Sequence, residues 1–428
     1  MAKIKNFNDI AVSSLRKKAL EIAEAGLSAI DTKNAVRKNV RLEGDFLFVK
    51  NKKYLLGNFK NIYVVGVGKC SIEAGKALEE IFGERLKGGI VLGIHEGELN
   101  KIKTYKGTHP LPSQYNIEVT EKIISLLKEI EENDLVITIV SGGGSVLLSQ
   151  PKGFALEEEK KIVDFLLGSG VDIAQMNTVR KHLSLARGGF LAEYAYPAKV
   201  ISLVFSDVPG HPAEIIASGP MMMDPSTVDD AEKILNKYRV LKNCGIDQLN
   251  LIETPKDGKY FKNVDNFLIV SNKIALEEMS AAALAKGFMP SIKSTGFSGE
   301  AKVIGEKIIK ELEKEESKTV LLYGGESTVK VHGKGNGGRN QELALSALQS
   351  VKEGEILVSF NSDGRDNGSA AGAICDIISK EKAKNLGLDS EKYLKNNDSH
   401  AFFSETGDFV FTGDTGSNVA DLIIAIKE

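Results

Sequence analysis

From residue 62 onward the chain alternates short runs rich in Val and Ile with stretches of helical period, and no other feature restricts its fold as strongly. The first half carries such runs at 62–67 (IYVVGV), 89–94 (GIVLGI), 134–140 (DLVITIV) and 199–205 (KVISLVF). The second half repeats the pattern at 267–270, 319–323, 355–360 and 409–412, interleaved with helical stretches near 272–286, 299–315 and 340–350. Short apolar strands joined through helices predict a mostly parallel sheet covered by helices, that is, an α/β fold. A chain of 428 residues exceeds one ordinary core, so two α/β domains are expected. Residues 236–265 are polar, contain Pro255 and hold no sustained period, which places the connection there and predicts domains 1–245 and 246–428. Ahead of the first strand, Ile10, Leu15, Ala19, Ile22 and Leu27 recur at helical spacing and predict an opening amphipathic helix over 8–31.

Charge narrows the partners. The formal net charge is −3 with no basic block, which disfavours nucleic acid and anionic membranes and points to a small-molecule ligand. Cys70, Cys244 and Cys375 lie far apart, without the spacing of a zinc site or a disulfide framework. No apolar run reaches the roughly 18 residues of a membrane span, and the first residues lack the apolar core of a secretory signal. A cytoplasmic protein is the expectation, and a homo-oligomer is left open.

Glycine clusters fall just after predicted strands. In an open parallel sheet the carboxyl ends of the strands share one edge, where glycine lets backbone amides approach an anion at a helix start. The loop Gly66-Val67-Gly68-Lys69-Cys70-Ser71 sits at such an end, yet Tyr63 stands where a P-loop requires glycine and Ser71 where a dinucleotide fingerprint requires one. What remains is Lys69 delivered at a strand-to-helix turn to meet an anion, against the plain alternative of a solvated lysine. Ser141-Gly142-Gly143-Gly144-Ser145 is the second anion cradle, and no Gly-x-Ser-x-Gly elbow surrounds either serine. The segment Gly335 to Glu342 leads into an apolar helix and offers Gly337, Gly338, Arg339 and Asn340 as the best anion site, with Glu326 upstream as a cation-orienting carboxylate or a surface turn acid. Asp207, and Asp363 with Asp366, mark two further strand ends. Carboxylates there hold Mg²⁺ or accept a hydroxyl proton, as transfer of a phosphoryl group to an alcohol requires, or they only close turns.

Taken in order, GVGKCS at 66–71, THPLPS at 108–113, SGGGSVLL at 141–148, NTVRKHLSLARGG at 177–189, SDVPG at 206–210, GGESTV at 324–329, GNGGRNQELAL at 335–345, SDGRD at 362–366 and TGDTGSNVADL at 412–422 resemble the class II glycerate kinases, the glycerate 2-kinase family whose C-terminal region is called MOFRL. The resemblance covers nearly the whole chain. It implies a Rossmann-like, three-layer first domain, a smaller MOFRL-type second domain with a mixed sheet, and ATP-dependent phosphorylation of D-glycerate at its 2-hydroxyl with Mg²⁺ in an interdomain cleft. It further implies Lys69 and Arg339 as catalytic groups, with Asp207 orienting or deprotonating the hydroxyl.

Gly66, Gly68 and Ser141 to Ser145 then hold nucleotide phosphate or the glycerate carboxylate, and Asp363 and Asp366 place the metal. Arg180 and Lys181 divide between substrate contact and a solvated helix face, while His109 and His182 divide between cleft and structural roles. The chain departs from the family's pattern at Arg187, at His211 and at Asp366-Asn367-Gly368. The main rival is an NAD(P)H-dependent hydroxypyruvate reductase, against which the missing third glycine counts. A non-catalytic phosphosugar sensor is the weaker rival, because it has no need of Lys69, Arg339 and several acids together.

Overall fold

The computed structural model describes residues 2–208, 210 and 213–428, with the side chains of 213–215 outside that description, so His211 lies outside the described residues. The chain forms two compact units: residues 35–206 with 212–269, and residues 1–34 with 207–211 and 270–428. This division departs from 1–245 and 246–428 at both ends, for two physical reasons. Residues 236–265, polar enough to read as a connection, lead into the strand Val264–Val270, which completes the first unit's sheet. The opening helix Ser14–Ala29 packs on the helix Asn272–Ala285 of the second unit, with Gly26 lying flat against Met279.

The first unit is built on six strands, Ile62–Val67, Leu86–Gly93, Ile102–Lys106, Leu135–Ser141, Lys199–Phe205 and Val264–Val270. Side by side they run third, second, first, fourth, fifth, sixth, which is the Rossmann order. The first five pair in parallel, Val64 lying opposite Ile137 and Ile137 opposite Ile201. Every residue of Leu135–Ser141 is buried, as a central parallel strand covered on both faces must be. Helices Ser71–Phe82 and Gln114–Lys128 pack on this sheet. A three-stranded antiparallel sheet precedes it at Val40–Glu43, Phe46–Val49 and Lys52–Leu55. A helical cluster with Ile162, Leu166, Met176, Val179 and Leu235 at its core joins Leu156–Gly168, Ile173–His182 and Val228–Lys237.

The second unit is the expected mixed sheet. Met289–Glu300 lies parallel to Thr319–Thr328, and Asp421–Lys427 runs antiparallel between Thr319–Thr328 and Glu355–Asn361, followed by Gly372–Asp376 and Phe409–Val410. Its helix Arg339–Leu348 is buried along its length from Asn340 to Leu348, which explains the absence of a polar stripe in that sequence. Arg16 reaches from the opening helix into the same unit, fully buried, and binds Asp376 through Nε at 2.7 Å and Asp408 through Nη1 at 2.7 Å. Among the described residues no helix is long and apolar enough to cross a membrane.

Candidate active site

The first unit's ligand edge is set by its topology. The first strand lies between the second and the fourth, so the chain leaves Ile62–Val67 to one side and Leu135–Ser141 to the other, opening a crevice beyond their carboxyl ends. Both predicted loops of this unit emerge there and are tied together. The Lys69 amide donates to Gly142 O at 2.9 Å, the Cys70 amide to Ser141 Oγ at 3.4 Å, and Ser141 Oγ to Val67 O at 3.3 Å. Gly66 is the penultimate residue of its strand. Gly68 has φ +117°, and a Cβ there would overlap Ser141, so only glycine lets the two loops touch.

Ser71 explains the failed dinucleotide fingerprint. Its hydroxyl is turned inward, donating to Gly68 O at 2.7 Å and contacting Leu92 O at 3.1 Å, and so braces the loop where a third glycine would allow closer packing. No side chain caps the helix Ser71–Phe82 that follows; its Ser71 amide donates to Gly68 O at 3.2 Å, which leaves the amides of Ile72 and Glu73 for an anion beside Lys69. The same spot gathers His109, since a Cβ at Gly143 would lie 3.2 Å from Lys69 Cγ and 3.3 Å from His109 Cδ2. Burial, aided by the charge of Lys69, lowers the His109 pKa, so the imidazole is neutral near pH 7. Gly144 is buried, and Ser145 Oγ lies 2.8 Å from Ser218 Oγ, which donates to Asn177 Oδ1 at 3.1 Å.

Arg180 sits one helical turn from Asn177, half-buried, lining a cavity with Ser145 and Arg187. Burial, and then the neighbouring Arg187, pull its pKa down to about 10. Lys181 and His182 resolve as structural. Lys181 pairs with buried Asp224 at 3.0 Å, and the fully buried His182 holds Ile252 O through Nδ1 at 2.7 Å. Arg187 is also buried and pairs with Glu159 at 2.7 Å.

In the second unit Arg339 opens the helix Arg339–Leu348. Its Nε donates to both oxygens of Asp421, at 3.0 and 2.8 Å, and Nη1 to Glu326 at 2.6 Å, while Nη2 makes no hydrogen bond among the described residues. Glu326 therefore orients the arginine. Burial raises Asp421 to about 6 against the pull of Arg339. Asn340 donates from Nδ2 to Asp421 at 2.8 Å and accepts from Ser359 Oγ at 2.6 Å.

One expectation is corrected here. The start of this helix is not open to an external anion, because Asp366 already fills it: Oδ1 accepts from the Asn340 amide at 3.0 Å and Oδ2 from the Gln341 amide at 2.9 Å. A Cβ at Gly338 would overlap that carboxylate, and Gly337 O accepts from Asn367 Nδ2 at 2.8 Å, so this glycine run serves the cap. Asp366, with each oxygen accepting a backbone amide, caps this helix. Asp363 accepts the Arg365 amide at 2.8 Å in an Asx turn, and the described residues form no group of three or more His, Cys, Asp or Glu able to hold a metal ion. Asp207 follows the fifth strand, half-buried, in the short segment 207–211 that belongs to the second unit. Asp421 is the residue the sequence reading missed. It stands in the quoted TGDTGSNVADL segment, hidden among apolar neighbours that marked a strand rather than a site.

Glycine-braced, cation-bearing loops at the switch point of a parallel sheet, with an oriented arginine in a mixed-sheet partner, define an α/β protein that handles small anions. Residues 18–250 match the family described as a domain of unknown function (DUF4147), and residues 319–421 the MOFRL family. A D-glycerate 2-kinase from Thermotoga maritima is 38% identical over 96% of this chain and 98% of its own length. The crystal structure of a glycerate kinase from the same organism superposes with a TM-score of 0.85 at 36% identity, covering 97% of this chain and 100% of that one. A relative from Agrobacterium vitis that carries a hydroxypyruvate reductase name is 36% identical over 84% of this chain and 85% of its own. The chain belongs to the class II glycerate kinase family.

Proposed function

We propose that this protein transfers the γ-phosphoryl group of ATP to the 2-hydroxyl of D-glycerate, giving 2-phosphoglycerate. The observation that carries the reading is end-to-end similarity to a D-glycerate 2-kinase in a chain whose switch-point crevice presents Lys69 between two glycine loops. In this proposal the amides of Ile72 and Glu73 and the Ser141–Ser145 loop receive anionic groups, and Lys69 and Arg339 are the catalytic cations that offset charge on the moving phosphoryl. Asp207 accepts the proton of the 2-hydroxyl. The Glu326–Arg339–Asp421 arrangement fixes the guanidinium and leaves Nη2 for the substrate. Mg²⁺ would accompany the nucleotide phosphates and offset their charge, in keeping with its habit of binding through few protein ligands. A cytoplasmic location completes the proposal.

The reductase reading rests on the Agrobacterium vitis name. Against it, inward-turned Ser71 replaces the third glycine that close dinucleotide binding uses. One experiment separates them. Purified protein is given D-glycerate, ATP and Mg²⁺ while ADP is followed and the phosphoglycerate isomer identified; in parallel it is given hydroxypyruvate and NAD(P)H. ADP with 2-phosphoglycerate, and no cofactor oxidation, is the expected result. Cofactor oxidation without ADP overturns the kinase reading.

A further inference from the structure

The cavity beside the Ser141–Ser145 loop encloses about 220 Å³ and lies wholly within the first unit. Leu111, Val163 and Leu167 form its apolar wall, and Ser145, Arg180 and Arg187 its polar end. Of the five charged residues that line it, Glu159, Lys160 and Arg187 are paired, whereas Arg180 and the exposed Asp164 make no hydrogen bond or ion pair among the described residues. Arg187 is held by Glu159, whose second oxygen accepts from Ser149, and Lys160 at the rim is held by Glu157. The Arg180 guanidinium makes no hydrogen bond or ion pair among the described residues; Asp164 acts on it only through charge at a distance. A largely buried guanidinium that Glu159 and Asp164 offset only from a distance is costly to desolvate, so its hydrogen-bond donors are available to a ligand anion.

Two further details specify that anion. Drug-sized sites span roughly 300–1,000 Å³, so a cavity of about 220 Å³ suits a small acid and excludes a nucleoside triphosphate. The second detail is the direction of a hydrogen-bond chain. Ser218 gives its only hydroxyl proton to Asn177 Oδ1, so in the contact between Ser145 and Ser218 the donor is Ser145. The lone pairs of Ser145 Oγ are left to accept from a ligand hydroxyl.

We propose that this cavity binds the acceptor acid itself, a short 2-hydroxy carboxylate, with its carboxylate on Arg180 and its hydroxyl donating to Ser145. The inference rests on the kinase reading above and deepens it, assigning the two sides of one glycine loop: Lys69 and His109 on the phosphoryl side, Arg180 on the acceptor side. The carboxylate becomes obligatory, so glycerol is neither a substrate nor a competitor.

The test is steady-state kinetics together with calorimetric titration of D-glycerate, on the full chain. R180A should raise the glycerate KM by about 30-fold or more and abolish the calorimetric signal, leaving the ATP KM within about twofold. R180K should recover part of both. L167D, at an exposed position on the rim, puts a negative charge beside the entering acid and should raise the glycerate KM even if R180A fails to fold. A glycerate KM unchanged within about twofold in the Arg180 variants, or an ATP KM that rises with it, overturns the proposal while leaving the kinase reading intact. If the wild type fails to phosphorylate glycerate, the functional reading falls, and calorimetry alone decides: Arg180-dependent binding of D-glycerate sustains the site, and no binding overturns it.

Discussion

Replacing Asp366 by Ala distinguishes a cap from a metal ligand. The carboxylate is buried and accepts from the Asn340 amide at 3.0 Å, the Gln341 amide at 2.9 Å and Asn340 Nδ2 at 3.3 Å. An orphaned buried donor costs about 1–3 kcal/mol and a lost helix cap about 0.5–2 kcal/mol. Two stranded amides would give roughly 4 kcal/mol, from which relief of the burial that raises the Asp366 pKa subtracts part, leaving about 3 kcal/mol. At about 2–4 °C per kcal/mol, the transition of the second unit falls by roughly 6–12 °C. Scanning calorimetry of the full chain reads this directly, because a two-unit protein need not melt in one step. Asp366→Asn, which keeps one acceptor, should lose less. A melting shift below about 2 °C, with activity restored by raising Mg²⁺, would refute the capping argument and return Asp366 to the metal.

Three other outcomes follow from the geometry. Lys69→Ala and Arg339→Ala should each lower kcat by about 100-fold or more with circular dichroism near wild type; melting should hold in Lys69→Ala but fall in Arg339→Ala, which strands buried Asp421, and normal turnover removes those assignments. Asp421, raised to about 6, holds Arg339 as a carboxylate only above that pH, so kcat/KM should fall below about pH 6, and Asp421→Asn should flatten this limb. For stability the sign is opposite. The raised pKa favours the protonated folded form, so this group's contribution is full below its ordinary value of 3.8 and is lost as pH rises through about 6, which pH-dependent denaturation of wild type and Asp421→Asn would register. Arg16→Met strands two buried carboxylates, Asp376 and Asp408, and should cost about 3–5 kcal/mol in urea denaturation; a cost below about 1 kcal/mol would show that the network is not structural.

Strand periodicity made the first unit legible. All four of its predicted strands are present, because a doubly covered parallel sheet writes itself as unbroken Val/Ile runs. The edge strand Ile102–Lys106 and the strand Met289–Glu300 escaped for the opposite reason: they are half-exposed and polar, and carry no such run. Asp421–Lys427 is apolar and central, yet its pairing partners lie far upstream, and sequence spacing does not reveal an antiparallel insertion between two other strands. At the site, the glycine loops and Lys69 were readable from strand ends. The capping role of Asp366 was not, because the helix it closes begins 27 residues earlier, at Arg339. The cavity at Arg180 was equally hidden, since a guanidinium without a hydrogen-bond partner is recognised only once its neighbours' contacts are known.

The opening helix has a consequence for how the molecule is made. Its anchor residue, Arg16, precedes its partners Asp376 and Asp408 by 360 and 392 residues in the chain, so it is made long before them. The Rossmann-type sheet is complete by residue 270 and is free to consolidate during synthesis, but the mixed sheet waits for its central strand Asp421–Lys427. Expressing 246–428 alone would therefore yield an aggregation-prone fragment, whereas grafting 1–34 onto 270–428 would restore the missing wall.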